Sequence, residues 1–132
     1  MAYLIDSDWL IDYLALLPDA EELLESMFSA GVSLSIISYV EVYEGIESGT
    51  NPDAEARFER LLAGTPVVGL SPAISRRCAR LRVALRGQGK SVNRRAMDLL
   101  IAATALEHAL TLVTRNVEDY RDIPGLQIYP ST

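Results

Sequence analysis

The segment from Asp98 to Tyr120, DLLIAATALEHALTLVTRNVEDY, restricts the possible folds more than any other part of the chain. At about 100° per residue in a helix, positions 98, 102, 105 and 109 share one face, and the last three are alanine. Side chains this small let a helix lie close against another layer. The apolar, β-rich run LTLVT (110–114) then supplies a strand for that layer. A helix that feeds directly into a buried strand is half of a parallel βαβ unit.

The same alternation runs through the rest of the chain. YLID (3–6) reads as a short buried strand, with Ser7 or Asp8 capping a helix through WLIDYLALL to Pro18. Pro18 and Asp19 open a second helix that stops at Gly31. VSLSI (32–36) is the second strand, and Ser38 caps YVEVYEGIES. Asn51 and Pro52 start a helix through ARFERLLA to Gly64, and PVVGL is the third strand. Ser71 and Pro72 open a helix to about Arg86, followed by a GQGK loop. Asn93 caps the alanine-striped helix, which ends near Ala109, and LQIYP (126–130) is a fifth strand. The pattern predicts one α/β domain over residues 1–132, with a mainly parallel sheet of about five strands flanked by helices. Such sheets bind ligands at the carboxyl ends of their strands.

Apolar runs fall well short of the roughly 20 residues that a membrane span needs. MAYLID lacks the basic start and long apolar core of a signal peptide, and the one cysteine, Cys78, forms no internal disulfide. A soluble, cytoplasmic protein is expected. The net charge of −6 argues against a nucleic-acid partner only on average. Residues 1–56 contain no Lys or Arg, whereas eight of the twelve basic residues fall between Arg76 and Arg95 without an intervening acid. That window can contact phosphates or simply solvate helix flanks.

Four acids occupy positions where such a sheet would bring them to one edge. Asp6 closes the first strand, Glu41 is predicted in the first turn after the second, and Asp119 follows the fourth by five residues. Asp98 stands at the head of the alanine stripe. A lone charge aimed along a packed face is costly unless neutralised, and gathered oxygen ligands suit a hard divalent cation, Mg²⁺ or Mn²⁺. Metal-assisted phosphodiester hydrolysis is the matching chemistry. Plainer roles exist for each residue. Asp98 could pair with Arg94 or Arg95 on the helix surface, Glu41 could serve the helix dipole, and Asp8 could cap a helix. His108 is expected at the surface, which disfavours a metal-independent acid–base ribonuclease.

The order YLIDSD, SYVEVYEGI, MDLLIAATALEHALTLVTRNVEDY and LQIYP resembles the PIN-domain toxins of VapBC toxin–antitoxin modules over essentially the whole chain. The resemblance implies a Rossmann-like PIN fold and a Mg²⁺- or Mn²⁺-dependent ribonuclease whose products carry 5′-phosphate and 3′-hydroxyl ends. It also implies a homodimer held in check by a VapB-type antitoxin. By that resemblance Asp6, Glu41 and Asp98 are the first three acids of the site. The fourth falls on Asn116, within Thr114-Arg115-Asn116, or on Asp119, with Thr114 assisting. Asp8 stands where relatives carry a small polar residue, and either extends the site or caps the helix. Arg82, Arg86, Arg94, Arg95 and Arg115 are candidates for guiding RNA phosphates. Trp9, Leu10, Tyr13 and Leu14 are core residues or part of an antitoxin groove. Two other readings remain. Asp6-Ser7-Asp8 resembles the nucleophile motif of haloacid-dehalogenase-like phosphatases, and Asn116 is compatible with a non-catalytic PIN-like binding module.

Overall fold

Tyr3–Ile5 forms β1, on which the sheet is centred, in a computed structural model that describes residues 2–130. Its neighbours are β2 (Val32–Ser35) on one side and β4 (Thr111–Val113) on the other, with β3 (Val67–Val68) outside β2. All pairings are parallel: Tyr3 stands opposite both Val32 and Thr111, and Leu34 opposite Val67. A central parallel strand is covered on both faces, which is why Leu4 and Ile5 are both fully buried. Strand alternation sends Leu4 and Leu112 into one core and Ile5, Leu34 and Val113 into the other.

The second core is closed by α1 (Ser7–Leu14), α2 (Pro18–Met27), α3 (Ile36–Ser48) and α4 (Ala54–Leu62) through Leu10, Leu24, Val42 and Phe58. The first is closed by α5 (Pro72–Gly87) and α6 (Ala96–Glu107). These two helices run antiparallel, since Arg77 pairs with Glu107 at one end while Arg82 reaches Val92 at the other. The C-terminal end of α5 therefore lies beside the start of α6. Ala102 and Ala105 are fully buried against the sheet as the stripe predicts. Ala109 is not part of the stripe. It lies past the helix end, exposed, with φ +53.

Among the described residues the sheet has four strands, close to the expected number of about five. Residues 126–130 contribute one bridge, Leu112 to Ile128, because Pro124 and Gly125 precede the segment and Pro130, which has no N–H to donate, ends it. Several helix starts also shift. Asp6, not Ser7 or Asp8, is the N-cap of α1, accepting from the Ser7 N–H at 2.8 Å. Ser35 rather than Ser38 caps α3, accepting from the Ser38 N–H at 3.0 Å. Glu41 consequently sits in the second turn. Asn93 does not cap α6 with its side chain, which instead accepts from Arg82 Nη2 at 3.1 Å. With α6 starting at Ala96, Asp98 falls in its first turn. No helix of the described residues is long and apolar enough to cross a membrane.

Candidate metal centre

The parallel sheet delivers its strand exits to one edge. β1 ends into Asp6, whose N–H continues the ladder by donating to the Val113 carbonyl at 2.9 Å. β4 ends into Thr114, and its hydroxyl donates to Asp6 Oδ2 at 2.8 Å. Both residues are buried, at 5% and 4% exposure. From the other core, Tyr120 points its hydroxyl between two acids, 3.2 Å from Asp98 Oδ1 and 3.4 Å from Asp6 Oδ2. Glu41 joins from α3, accepting from the Ser7 hydroxyl at 3.1 Å.

Asp6, Glu41 and Asp98 thus share one neighbourhood, and their electrostatics agree. Burial pushes Asp6 up from its usual 3.8 to about 6, and the charges of Asp8 and Glu41 add to the shift against the opposing bonds from Thr114 and Ser7. Glu41 is raised by burial, and by Asp98, against its bond from Ser7. Asp98 is raised by burial, and by Asp119, against Tyr120 and the nearby Arg95. Among the described residues, only hydroxyl and backbone N–H groups hydrogen-bond to the three carboxylates, and no cation pairs with them. This hard, all-oxygen donor set fits Mg²⁺ or Mn²⁺. No three Asp, Glu, His or Cys side chains of the described residues close into a ready ligand cage.

The fourth position differs in kind. Asp119 is exposed at the end of a 3₁₀ turn (Val117–Asp119), felt by Asp98 through its charge alone. Asn116 is exposed too. Its N–H donates to Thr114 Oγ1 at 3.1 Å and its carbonyl accepts from Asp119 N–H at 3.0 Å, so its backbone opens the turn. Asp8 is occupied structurally, accepting from Trp9 N–H at 2.7 Å and Arg115 N–H at 2.9 Å.

Three of the five candidate arginines are engaged inside the molecule. Arg115 lies 3.6 Å over the Trp9 ring and pairs with Asp12 at 2.8 Å and Asp19 at 3.0 Å, pinning the β4 exit to α1 and α2. Arg82 holds the loop before α6 through the Val92 carbonyl, 3.2 Å away. Arg95 grips Asp122 with both Nη atoms, at 3.0 and 2.7 Å, and donates to the Asp119 carbonyl at 2.9 Å. Arg86 and Arg94 are exposed, with no ion pair or side-chain hydrogen bond among the described residues. Leu10 and Leu14 are core, Trp9 carries Arg115, and Tyr13 meets Phe28 edge-on. Tyr120, Ser7 and the Arg95–Asp122 pair escaped the sequence reading. A large aromatic with a polar tip just after a predicted site acid was the signal for the first.

Arg95, followed by Lys90 at 2.8 Å, holds the Asp122 carboxyl down at about 2. A folded-state value below the usual 3.8 contributes stability that is present above that value and lost as pH falls through about 2. Asp122→Asn should therefore cost about 1 kcal/mol at pH 7, a figure already reduced for solvent screening of this partly exposed pair. The cost should shrink toward zero near pH 2 in urea melts.

A profile of the PIN-domain family matches residues 3–126 of the chain. VapBC2 from Rickettsia felis bound to a promoter DNA fragment has a similar structure, with a TM-score of 0.85 and 21% identity over 97% of both chains. A toxin–antitoxin complex from Klebsiella pneumoniae is similar at TM-score 0.72 and 29% identity, covering 94% of each chain. VapBC-1 from nontypeable Haemophilus influenzae is similar at TM-score 0.77 and 26% identity, over 97% of this chain and 96% of that one. No significant match exists among curated protein sequences.

Proposed function

This chain belongs to the PIN-domain family, and from that premise we propose that it is a metal-dependent endoribonuclease, the toxin of a VapBC-type pair. The observation that carries this reading is the gathering of Asp6, Glu41 and Asp98 at the carboxyl edge of the sheet, each raised first by burial, with the Tyr120 hydroxyl within reach of both Asp6 and Asp98. The similar toxin–antitoxin complex from Klebsiella pneumoniae and VapBC-1 from nontypeable Haemophilus influenzae support the biological setting.

In this mechanism Asp6 and Asp98 would hold the divalent ion, and Glu41 would orient water beside it. A bound Mg²⁺ or Mn²⁺ supplies a water of lowered pKa and stabilises charge on the scissile phosphate and leaving oxygen. Thr114 and Ser7 fix the rotamers of Asp6 and Glu41 through their hydroxyls. Asp119 completes the acidic rim, and Asn116 shapes the turn that presents it. The cavity of about 890 Å³ between α1, α2 and α4, lined by Tyr13, Leu14, Phe28, Arg57 and Leu61, is the proposed seat of the antitoxin segment. A homodimer is proposed on the same family grounds.

The phosphatase reading loses its footing here. It needs Asp8 and a free lysine, whereas Asp8 faces two backbone N–H groups and Lys90 is paired with Asp122.

The test is cleavage of a single-stranded RNA with Mn²⁺, with Mg²⁺ and with EDTA. Cleavage supported by metal and abolished by EDTA is expected; binding without cleavage under every metal would leave a binding module instead.

RNA guidance falls to Arg86 and Arg94, exposed near the start of α6, while Arg82, Arg95 and Arg115 brace the loops around the site. For single strands, log K falls with log salt by about 0.7 for every phosphate that the protein neutralises. Arg86→Glu with Arg94→Glu should therefore weaken RNA binding and flatten that slope by roughly 1.4. The measurement is a fluorescence titration over a salt series in the Asp98→Asn background, where RNA stays intact. An unchanged slope would return both residues to an ordinary solvated face.

A further inference from the structure

Resting on the metal-centre reading, we propose that Tyr120 is a positioning residue that sets the Asp98 carboxylate against Asp6. Its ring is 1% exposed and packed in the core with Leu4, Leu99 and Leu112, so the hydroxyl is held on a fixed arm. A phenol carries one proton. Two acceptors are within reach, Asp98 Oδ1 at 3.2 Å and Asp6 Oδ2 at 3.4 Å. Asp6 Oδ2 already receives the Thr114 hydroxyl at 2.8 Å. Among the described residues Tyr120 is the only side-chain donor to Asp98, so its proton belongs there.

Tyr120 is itself held by a closed circuit. Its N–H donates to the Val117 carbonyl at 3.1 Å, fixing it to the 3₁₀ turn. Arg95 grips that turn from both sides, through the Asp119 carbonyl at 2.9 Å and the Asp122 carboxylate at 2.7 Å. Arg95 is also the N-cap residue of α6, and its carbonyl accepts from the Leu99 N–H at 2.8 Å. The helix that carries Asp98 thus holds the turn that carries Tyr120, and Tyr120 holds Asp98. Phenylalanine would fill the same ring site, and a buried hydroxyl is retained at a cost unless it is bonded.

The experiment is calorimetric titration of Mn²⁺, without RNA, into wild type and Tyr120→Phe. Loss of such an outer-shell donor weakens metal affinity by about 10- to 100-fold, and that is the expected change. The Mn²⁺ concentration for half-maximal cleavage should rise in parallel, with kcat at saturating Mn²⁺ far less affected. Circular-dichroism melts of the metal-free proteins separate a packing defect from ligand loss. Equal affinity in the two folded proteins would overturn this inference alone. A wild type that takes up no Mn²⁺ would overturn it together with the metal-centre reading.

Discussion

Asp98→Asn is expected to lower RNA cleavage by about 10³-fold or more at saturating Mn²⁺, corresponding to about 4 kcal/mol of transition-state stabilisation. The carboxamide keeps the volume and the acceptor that faces Tyr120, so the first turn of α6 and its buried alanines have no reason to move. What it removes is a charge from a group already raised by burial. The loss should therefore appear in catalysis and metal uptake, with melting of the metal-free protein preserved or improved. Initial rates on a fluorogenic single-stranded RNA check it. Retention of more than a tenth of wild-type activity would exclude Asp98 from the centre. Asp119→Asn, assayed beside Asn116→Ala, then assigns the fourth position.

The second large effect runs against intuition, for removing a proposed ligand should stabilise the protein. Asp6 is raised to about 6 from 3.8, so the folded state binds its proton more tightly than the unfolded chain. The associated stability is complete below 3.8 and is lost as pH rises through about 6. At pH 7 the metal-free protein then carries a penalty of about 3 kcal/mol. Asparagine relieves it but weakens the bonds from Thr114 and the Ser7 N–H. A net gain of about 1 to 2 kcal/mol is expected at pH 7, fading below pH 4. Metal should reverse the ranking, since a ligand at a hundred times its Kd stabilises by about 2.7 kcal/mol. Denaturant unfolding from pH 4 to 8, with and without Mn²⁺, is the measurement. An Asn variant no more stable than wild type at pH 7 would refute the argument.

That Asp6, Glu41 and Asp98 lie near one another was legible from strand exits and a packed helix face, although Glu41 falls one turn later in α3 than expected. The proposed role of the three rests also on the family resemblance. The alanine stripe likewise disclosed the layer that α6 forms. Local ambiguity explains the shifted caps, since Ser35 and Ser38, or Asp6 and its neighbours, offer a helix equivalent oxygens and only the strand ends choose between them. Long-range pairing explains the rest. No pattern near Arg115 reveals that Asp12 and Asp19, 103 and 96 residues away, would take its guanidinium. Nor does VEDY disclose that its tyrosine would reach Asp6 across 114 residues. The last strand fell short for a covalent reason, because prolines on both sides of 126–129 leave little backbone to pair.

β1 takes one partner, β2, soon after it in the chain and the other, β4, near the end, and the bond from Thr114 to Asp6 spans 108 positions. During synthesis Asp6 and Glu41 leave the ribosome before the other site residues, in a stretch, residues 1–56, that holds no Lys or Arg. β1 remains half-paired, and Asp98, Thr114 and Tyr120 follow much later. A partly made chain thus holds the beginning of a site without its closure, and the proposed activity appears only once synthesis has passed Tyr120.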